Sequence, residues 1–292
     1  MRTWGVAPTA PGEGKSMRQS CPSAPRVIDR DGDGFADLLY AVDLKGQLWR
    51  IDFPPPGALG ATPQVRIVAD LTASGAPGGG GFFFQTPDAV YETLGGRPRI
   101  VVALGSGRLS RPRETGLTDR FFAIFDEFTS APAGSAPITP DDLEDVTDTP
   151  APLPDDAHGW LRRLDRHGPG EKVAGTSSTF DHRLRFTTHQ PLSSLPDAPC
   201  GPPRSRNRLY TLDIRTGRAA HRIGDDEVPS EELAGDGLPV DLKIVAPDAF
   251  RAACTTEGCS APILFHGGWG LPIEFTQRLR KTSWRQLEAP AE

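Results

Sequence analysis

Residues Asp29 to Asp37 read Asp-Arg-Asp-Gly-Asp-Gly-Phe-Ala-Asp, and the rest of the chain can be interpreted around them. Their carboxylates repel one another so strongly at this density that a bound cation is the simplest way to hold them together. The Asp-x-Asp-x-Asp alternation directs side-chain oxygens into one concavity, and the two glycines permit the tight, partly left-handed backbone that wraps an ion. The stretch therefore predicts a Ca²⁺ site with five ligands, which are Asp29, Asp31, Asp33, the backbone carbonyl of Phe35, and Asp37.

The residues on both sides of this loop favour β-strands. Val27 and Ile28 precede it, and an apolar run over residues 38–42 follows it. An EF-hand would need flanking helices and a bidentate Glu at the twelfth position of the loop, where this chain has Tyr40. We therefore expect the ion to stabilise a turn that connects two strands. A solvated Asp/Gly surface turn without a metal is the alternative that stays open.

Composition predicts an all-β protein. The 292 residues are 37% hydrophobic and 24% charged, which suits one large or two small globular domains. The 32 Gly and 30 Pro fit many short strands joined by tight turns. A net charge of −6 offers no electrostatic footprint for nucleic acid or an anionic membrane. We therefore expect no nucleic-acid partner. No apolar run has the length of a spanning helix or of a signal-peptide core, so we also expect no membrane span and no export signal in this chain.

Three segments share one pattern, with a polar start, alternating apolar and aromatic positions, and a closing Asp. They are Gln47–Asp52, Arg120–Asp126 and Arg208–Asp213, and their aromatic residues are 73 and 88 residues apart. This spacing suits propeller blades of about 40–50 residues, with further blades and insertions between the repeats. Similar strands also arise by chance in all-β proteins. We interpret the repeats as blade strands of a partial β-propeller.

The sequence divides into an irregular lead-in over residues 1–26 and a partial propeller over residues 27–292, with an insertion at about 129–157. Residues 43–46 predict the turn of a hairpin whose second strand is 47–53. In the insertion, Thr139 as a cap and Pro140 at the first helical position predict a short helix that includes Leu143 and Val146, and we expect one or two short helices in insertions in all. Further strands are expected at 64–70, 100–104, 172–191, 207–214, 240–247 and 262–266, and an amphipathic or strand-like tail at 278–288.

The four cysteines favour an oxidising compartment. Cys254 and Cys259 enclose only Thr-Thr-Glu-Gly, a span short enough for a disulfide. Cys21 and Cys200 stand alone in Pro-rich loops, and their pairing stays open. Zinc is disfavoured because there is no C-x-x-C pair and no ligand pair that contains histidine.

The loop and its surroundings resemble the C-terminal β-propeller of the PilY1-like type IV pilus tip and biogenesis proteins. The resemblance covers nearly the whole chain. It rests on the Asp-rich loop running into residues 39–52, and it continues through Ala103–Gly107, Asp119–Ile124, Gly159–Trp160, Gly170–Val173, Cys200–Gly201, Asn207–Asp213 and Ser283–Arg285. It implies that the calcium ligands of the family fall on the five loop positions given above, none of which is substituted.

The resemblance also implies a cellular role. It predicts a calcium-responsive module at the cell surface or pilus tip, or in the outer membrane or periplasm. Its expected partners are minor pilins, the pilus tip complex and a host or surface ligand for adhesion. Its expected roles are pilus biogenesis, control of extension and retraction, twitching motility and adhesion. Family members carry an export signal, an adhesive region and further blades before this loop, so we expect a truncated reading frame or a separately encoded half-propeller.

Two other classes of function stay open. Tyr210–Gly217 resembles the repeat of quinoprotein dehydrogenase propellers, which bind a quinone cofactor with Ca²⁺ in a complete ring. The chain is too short for that ring, its histidines lack metal-ligand spacing, and it has no G-x-S-x-G motif. We therefore expect no catalytic residues and no enzyme activity. The other alternative is a calcium-stabilised structural module without a role in pili.

Overall fold

The computed structural model describes residues 19–58, 60–71, 81–129, 135–148, 152–192, 204–223, 226–233, 237–239 and 241–242, together with three strands at 244–245, 263–266 and 270–273. These residues form β-strands and a single 3₁₀ turn at Pro140–Asp142. The all-β prediction is therefore confirmed. No helix in this part of the chain is long and apolar enough to cross a membrane.

The strands of the first compact unit, which ends at Asp241, build three main sheets. Sheet 1 has the order β1-β2-β3-β4, with β1 at Arg26–Ile28, β2 at Leu38–Val42, β3 at Gln47–Asp52 and β4 at Gln64–Asp70. Sheet 2 has the order β5-β6-β7-β9-β8, with β5 at Asp88–Leu94, β6 at Arg97–Gly105, β7 at Arg120–Glu127, β8 at Glu144–Asp145 and β9 at Gly159–Arg163.

Sheet 3 follows with the order β10-β12-β13-β16, and β11 also pairs with β12. Its strands are β10 at Lys172–Val173, β11 at Ser178–Phe180, β12 at Arg183–Pro191, β13 at Ser205–Asp213 and β16 at Ser230–Leu233. A small hairpin pairs β14 at His221–Ile223 with β15 at Asp226–Val228. The second compact unit, which begins at Leu242, contains the antiparallel strands β17 at Ile244–Val245, β18 at Ile263–His266 and β19 at Gly270–Ile273.

The three sequence repeats occupy the same position in successive sheets. They form β3, β7 and β13, and each of these is the third strand in the order of its sheet. Among the described residues no further sheet separates them, so the prediction of blades between the repeats is wrong. The 73- and 88-residue spacings come instead from the other strands of each sheet and from long connections such as residues 106–119.

Sheet 2 is apolar on both faces because successive side chains of a strand point to opposite sides. In β6, Ile100 and Val102 enter a first apolar cluster with residues of sheet 1, whereas Val101 and Ala103 enter a second cluster with residues of sheet 3. The rings of Phe121 and Phe186 stack in the second cluster at 3.8 Å between centroids. A sheet covered on both faces by neighbouring sheets is the packing of a propeller blade. Among the described residues of this unit, none of the sheets closes on itself.

A buried polar clasp also joins sheets 1 and 2. Arg50, which is fully buried, donates from Nη1 to Asp126 Oδ2 at 2.9 Å and to the carbonyl of Glu127 at 2.8 Å. The Tyr40 hydroxyl donates to the same Asp126 oxygen at 2.6 Å, and Arg66 donates to the other oxygen at 2.5 Å. Burial beside this carboxylate raises the pKa of the Tyr40 hydroxyl, so the hydroxyl stays a donor. The clasp fixes the end of β7 against sheet 1.

The short helix predicted after Thr139 is reduced to one 3₁₀ turn. Asp142 accepts hydrogen bonds from the backbone and the hydroxyl of Thr139, as a helix start would require. The chain then becomes extended, and β8 pairs in parallel with β9. Leu143 enters the first apolar cluster and Val146 the second. Residues three apart share one face of a helix but lie on opposite faces of a strand. Only an extended segment can therefore bury Leu143 in one cluster and Val146 in the other.

Other predictions can be compared with the strands directly. The strand predicted at 64–70 has the bounds of β4, and 100–104 lies within β6. The region 172–191 contains three strands, β10 to β12, with a turn at Asp181 and His182, which have φ of 51° and 59°. The strands predicted at 240–247 and 262–266 correspond to β17 and β18. Three predictions fall outside the described residues: the disulfide between Cys254 and Cys259, the loop position of Cys200, and the tail at 278–288. The domain bounds also stay predictions.

Candidate metal centre

The Asp-rich loop connects β1 to β2 at one end of sheet 1. The two strands pair antiparallel, with Ile28 opposite Leu38, so the loop is the turn of a hairpin, as its flanks predict. The amide of Asp37 donates to the carbonyl of Ile28 at 2.9 Å, and the amide of Phe53 donates to the carbonyl of Asp37 at 2.7 Å. The last residue of the loop is therefore tied to two strands, which fixes where the loop closes.

Within the loop, the backbone folds around the first carboxylate. Asp29 accepts hydrogen bonds from the amides of Gly32 at 2.7 Å and Gly34 at 2.9 Å, one at each oxygen. These glycines have φ of +76° and +91°, and a Cβ at either position would meet no atom within 4 Å. Glycine is required here for its left-handed backbone and not for space. The amide of Arg30 donates to Asp37 Oδ2 at 2.5 Å and brings the two ends of the loop together.

Three of the five predicted ligands meet in space. Carboxylate oxygens of Asp29, Asp31 and Asp37 lie within 4.8 Å of one another, and the first two residues are exposed while the third is half-buried. Asp33 lies outside this group, and its Oδ1 accepts a hydrogen bond from the amide of Phe35 at 2.8 Å. The ligand roles of Asp33 and of the Phe35 carbonyl stay predictions.

The donor set fits a hard cation. All three converging groups offer oxygen, which Ca²⁺ and Mg²⁺ prefer, and no Cys or His that would favour zinc belongs to the group. Ca²⁺ takes about six to eight oxygens in a flexible geometry, whereas Mg²⁺ demands a near-ideal octahedron. Three carboxylates on an exposed loop can each bind through one or two oxygens and leave room for water and a backbone carbonyl. The arrangement therefore fits a hard cation that prefers oxygen ligands.

An aromatic platform, formed by Tyr91 on β5 and Phe128 just after β7, lies beside the loop. The Arg30 guanidinium carbon lies 5.5 Å from the centre of the Phe128 ring, and the two platform rings are 5.6 Å apart. Burial raises the pKa of the Tyr91 hydroxyl; Arg30 opposes the shift, and Asp37 adds to it. The platform comes from sheet 2, so no local signal near residues 29–37 could have predicted it.

Several large apolar side chains are exposed at or near the loop. Among the described residues, four large hydrophobic side chains are exposed, and three of them lie at or beside this loop: Val27 on β1 at 54%, Phe35 in the loop at 62%, and Tyr91 at 44%. Contiguous exposed apolar side chains often mark a contact site for another molecule. Sequence reasoning identified Phe35 only through its backbone carbonyl and missed the exposure of its ring.

The segments 103–107 and 170–173, which also belong to the resemblance, make structural contacts. Buried Ser106 donates from Oγ to Asp119 at 2.7 Å, and Lys172 donates from Nζ to two backbone carbonyls of the connection between β6 and β7. Burial raises the pKa of Asp119 to about 6. A Cβ on Gly105 would lie 2.3 Å from Val173 Cγ2, so glycine allows β6 and β10 to approach. These contacts join sheets 2 and 3.

Comparison with known proteins supports the same family and fold. No protein-family model matches the chain. The type IV pilus biogenesis factor PilY1 homolog of Xylella fastidiosa is 27% identical over 227 residues, which are 70% of this chain and 15% of that protein. The crystal structure of the Pseudomonas aeruginosa PilY1 C-terminal domain matches 85% of this chain and 60% of that chain, with a TM-score of 0.58 and 18% identity. The chain thus spans a small part of its relative, and the structural likeness confirms the propeller-like fold.

Proposed function

We propose that this chain, which is a PilY1-like C-terminal domain in sequence and in fold, is the calcium-binding module of a type IV pilus biogenesis protein. The observation that carries the proposal is the convergence of Asp29, Asp31 and Asp37 in a hairpin loop of sheet 1. Without a cation, three carboxylates at this distance repel one another, so the bound ion would stabilise the closed loop.

The ion would order a surface on which a partner could bind. Phe35 projects from the loop and Tyr91 stands beside it, and both rings are exposed. A loop that is rigid with Ca²⁺ and loose without it would present these rings only when calcium is available. On this basis we propose that minor pilins or other components of the pilus tip bind here, and that the module acts at the cell surface, at the pilus tip or in the periplasm.

We further propose that the module supports pilus extension against retraction, and through it twitching motility and adhesion. The proposed role is binding and not catalysis. In support, three of the buried acidic groups hold structure together: Asp126 joins sheets 1 and 2, Asp119 holds Ser106, and Glu171 accepts hydrogen bonds from Thr188 and Tyr210.

Calorimetric titration of the purified chain with Ca²⁺ and with Mg²⁺ tests the ion site. Asp31→Asn should weaken Ca²⁺ binding because it removes one charged ligand from the cluster, whereas Asp156→Asn, at an exposed aspartate outside the cluster, should not. Absence of Ca²⁺ binding by the unaltered chain would refute the proposal.

A strain that carries Asp31→Asn in the full-length protein tests the pilus role. Surface pili should decrease and should return when retraction is disabled, because an ion-bound loop that opposes retraction is then no longer needed. Asp33→Ala tests the remaining predicted carboxylate ligand in the same way. Normal pili and normal twitching in a variant that no longer binds Ca²⁺ would leave a calcium-stabilised structural module without a pilus role.

A further inference from the structure

Arg30 is a cation in the middle of the acidic loop, between Asp29 and Asp31 in the chain. Its backbone amide belongs to the loop, because it donates to Asp37 Oδ2. Its side chain does not: among the described residues, the guanidinium forms no ion pair with a loop aspartate and lies over the ring of Phe128 at 5.5 Å. The backbone of Arg30 thus belongs to the loop of sheet 1, whereas its guanidinium lies on an aromatic ring of sheet 2.

The position of Phe128 is fixed by sheet 1 as well as by its own sheet. The carbonyl of Glu127, directly before it, accepts a hydrogen bond from buried Arg50, and Asp126 accepts from Tyr40 and Arg50. The ring packs against the first apolar cluster and lies 5.6 Å from the Tyr91 ring. The platform is therefore a prepared surface for the guanidinium.

A guanidinium that left this platform would be drawn to the nearest negative charges. Asp29, Asp31 and Asp37 present carboxylate oxygens within 4.8 Å of one another, and a guanidinium pairs well with carboxylates. Such a pair would occupy the oxygens that a metal ion needs. A cation over an aromatic ring at a partly exposed site gains enough free energy to shift an equilibrium about two- to five-fold. That is sufficient to bias Arg30 between the two positions.

We propose that Phe128 is a positioning residue for ion binding: it holds the Arg30 guanidinium on sheet 2, away from the carboxylates of the loop on sheet 1. The inference rests on the proposed function of the loop as a calcium site and names a residue of another sheet that sets its affinity. Because linkage is reciprocal, ion binding should in turn favour Arg30 on the platform and strengthen the contact between the two sheets.

Calorimetric titration of the purified chain with Ca²⁺ tests this assignment. Phe128→Leu should weaken Ca²⁺ binding about two- to five-fold, whereas Phe128→Tyr, which keeps an aromatic face, should preserve the affinity. The matched control is Phe82→Leu. Phe82 is also half-buried and also contacts two cations, Lys45 at 4.7 Å and Arg108 at 4.6 Å, but it lies away from the loop, so its loss should leave the affinity unchanged.

A double-mutant cycle separates this effect from general electrostatics. Arg30→Gln removes a positive charge and should raise Ca²⁺ affinity to some extent in any background. It should raise the affinity more in the Phe128→Leu chain, where the guanidinium is free to compete, than in the unaltered chain. Hydrogen exchange gives a second readout: Ca²⁺ should slow exchange at the end of β7 in the unaltered chain and less so in Phe128→Leu.

The results of these experiments test the calcium site and the role of Phe128 separately. Unaltered affinity in Phe128→Leu, or an equal effect of Arg30→Gln in both backgrounds, would overturn the role of Phe128 while the calcium site stands. No Ca²⁺ binding by the unaltered chain would refute the site and the positioning role together. If Phe128→Leu does not fold, a loss of affinity in Phe128→Tyr, or an affinity in Arg30→Gln that does not rise above that of the unaltered chain, would still contradict the assignment.

Discussion

Replacing Arg50 by Met should break the clasp between sheets 1 and 2 at a measurable cost. Arg50 is fully buried and donates to Asp52, Asp126 and the carbonyl of Glu127. Met fills a similar volume but leaves the carbonyl without this donor and leaves Asp126 with Tyr40 and Arg66 as its donors. Breaking a buried pair costs about 3–5 kcal/mol. Because Arg66 keeps part of the charge compensation, we expect the lower end, about 3 kcal/mol.

Thermal and chemical unfolding measure this cost. A loss of about 3 kcal/mol should lower the Tm by roughly 6–12 °C for a domain of this size. The control is Arg99→Met, which removes a pair with Glu127 whose side chain is 53% exposed. That variant should lose less than about 1 kcal/mol because water screens the pair. Equal stability losses in the two variants would refute the reasoning that burial of the clasp sets its energy.

Three further predictions concern the ion, a buried acid and a glycine. Ca²⁺ should raise the Tm more than Mg²⁺ does, because the exposed loop suits a flexible oxygen shell, and equal melting temperatures with Ca²⁺ and with a chelator would contradict this. The pKa of Asp119 is raised to about 6 from 3.8, so the folded chain binds this proton more tightly than the unfolded chain. The stability that this proton contributes is therefore lost as pH rises from about 4 to about 6. Asp119→Asn should flatten that part of the pH dependence of stability in denaturant unfolding, and an unchanged pH dependence would exclude Asp119 as its source. Gly105→Ala should cost about 1–3 kcal/mol because its Cβ would lie 2.3 Å from Val173, and Val173→Ala in the same chain should recover part of the loss.

Local sequence determined the strands and the loop of sheet 1. The bounds of β2, β3 and β4 follow from apolar runs and from the turn at Asp43–Gly46, because hydrophobic alternation and turn chemistry act over a few residues. The same holds for the loop between β1 and β2, where carboxylates and glycines close in sequence converge in space. The repeats correctly predicted equivalent strands, which are β3, β7 and β13. Their spacing could not distinguish a long connection from an additional blade.

Tertiary structure decided what depends on contacts between sheets. Leu143 and Val146 have the spacing of a helix, but the two clusters on either side of sheet 2 draw them to opposite faces and make the segment extended. Arg50 and Asp126 are 76 residues apart, and no local pattern marks either as a partner. Phe128 meets Arg30 only because that clasp holds β7 against sheet 1. The sequence by itself determined the candidate ligands of the ion, since they are neighbours in the chain, whereas the groups that surround and orient them come from another sheet and are brought there by packing.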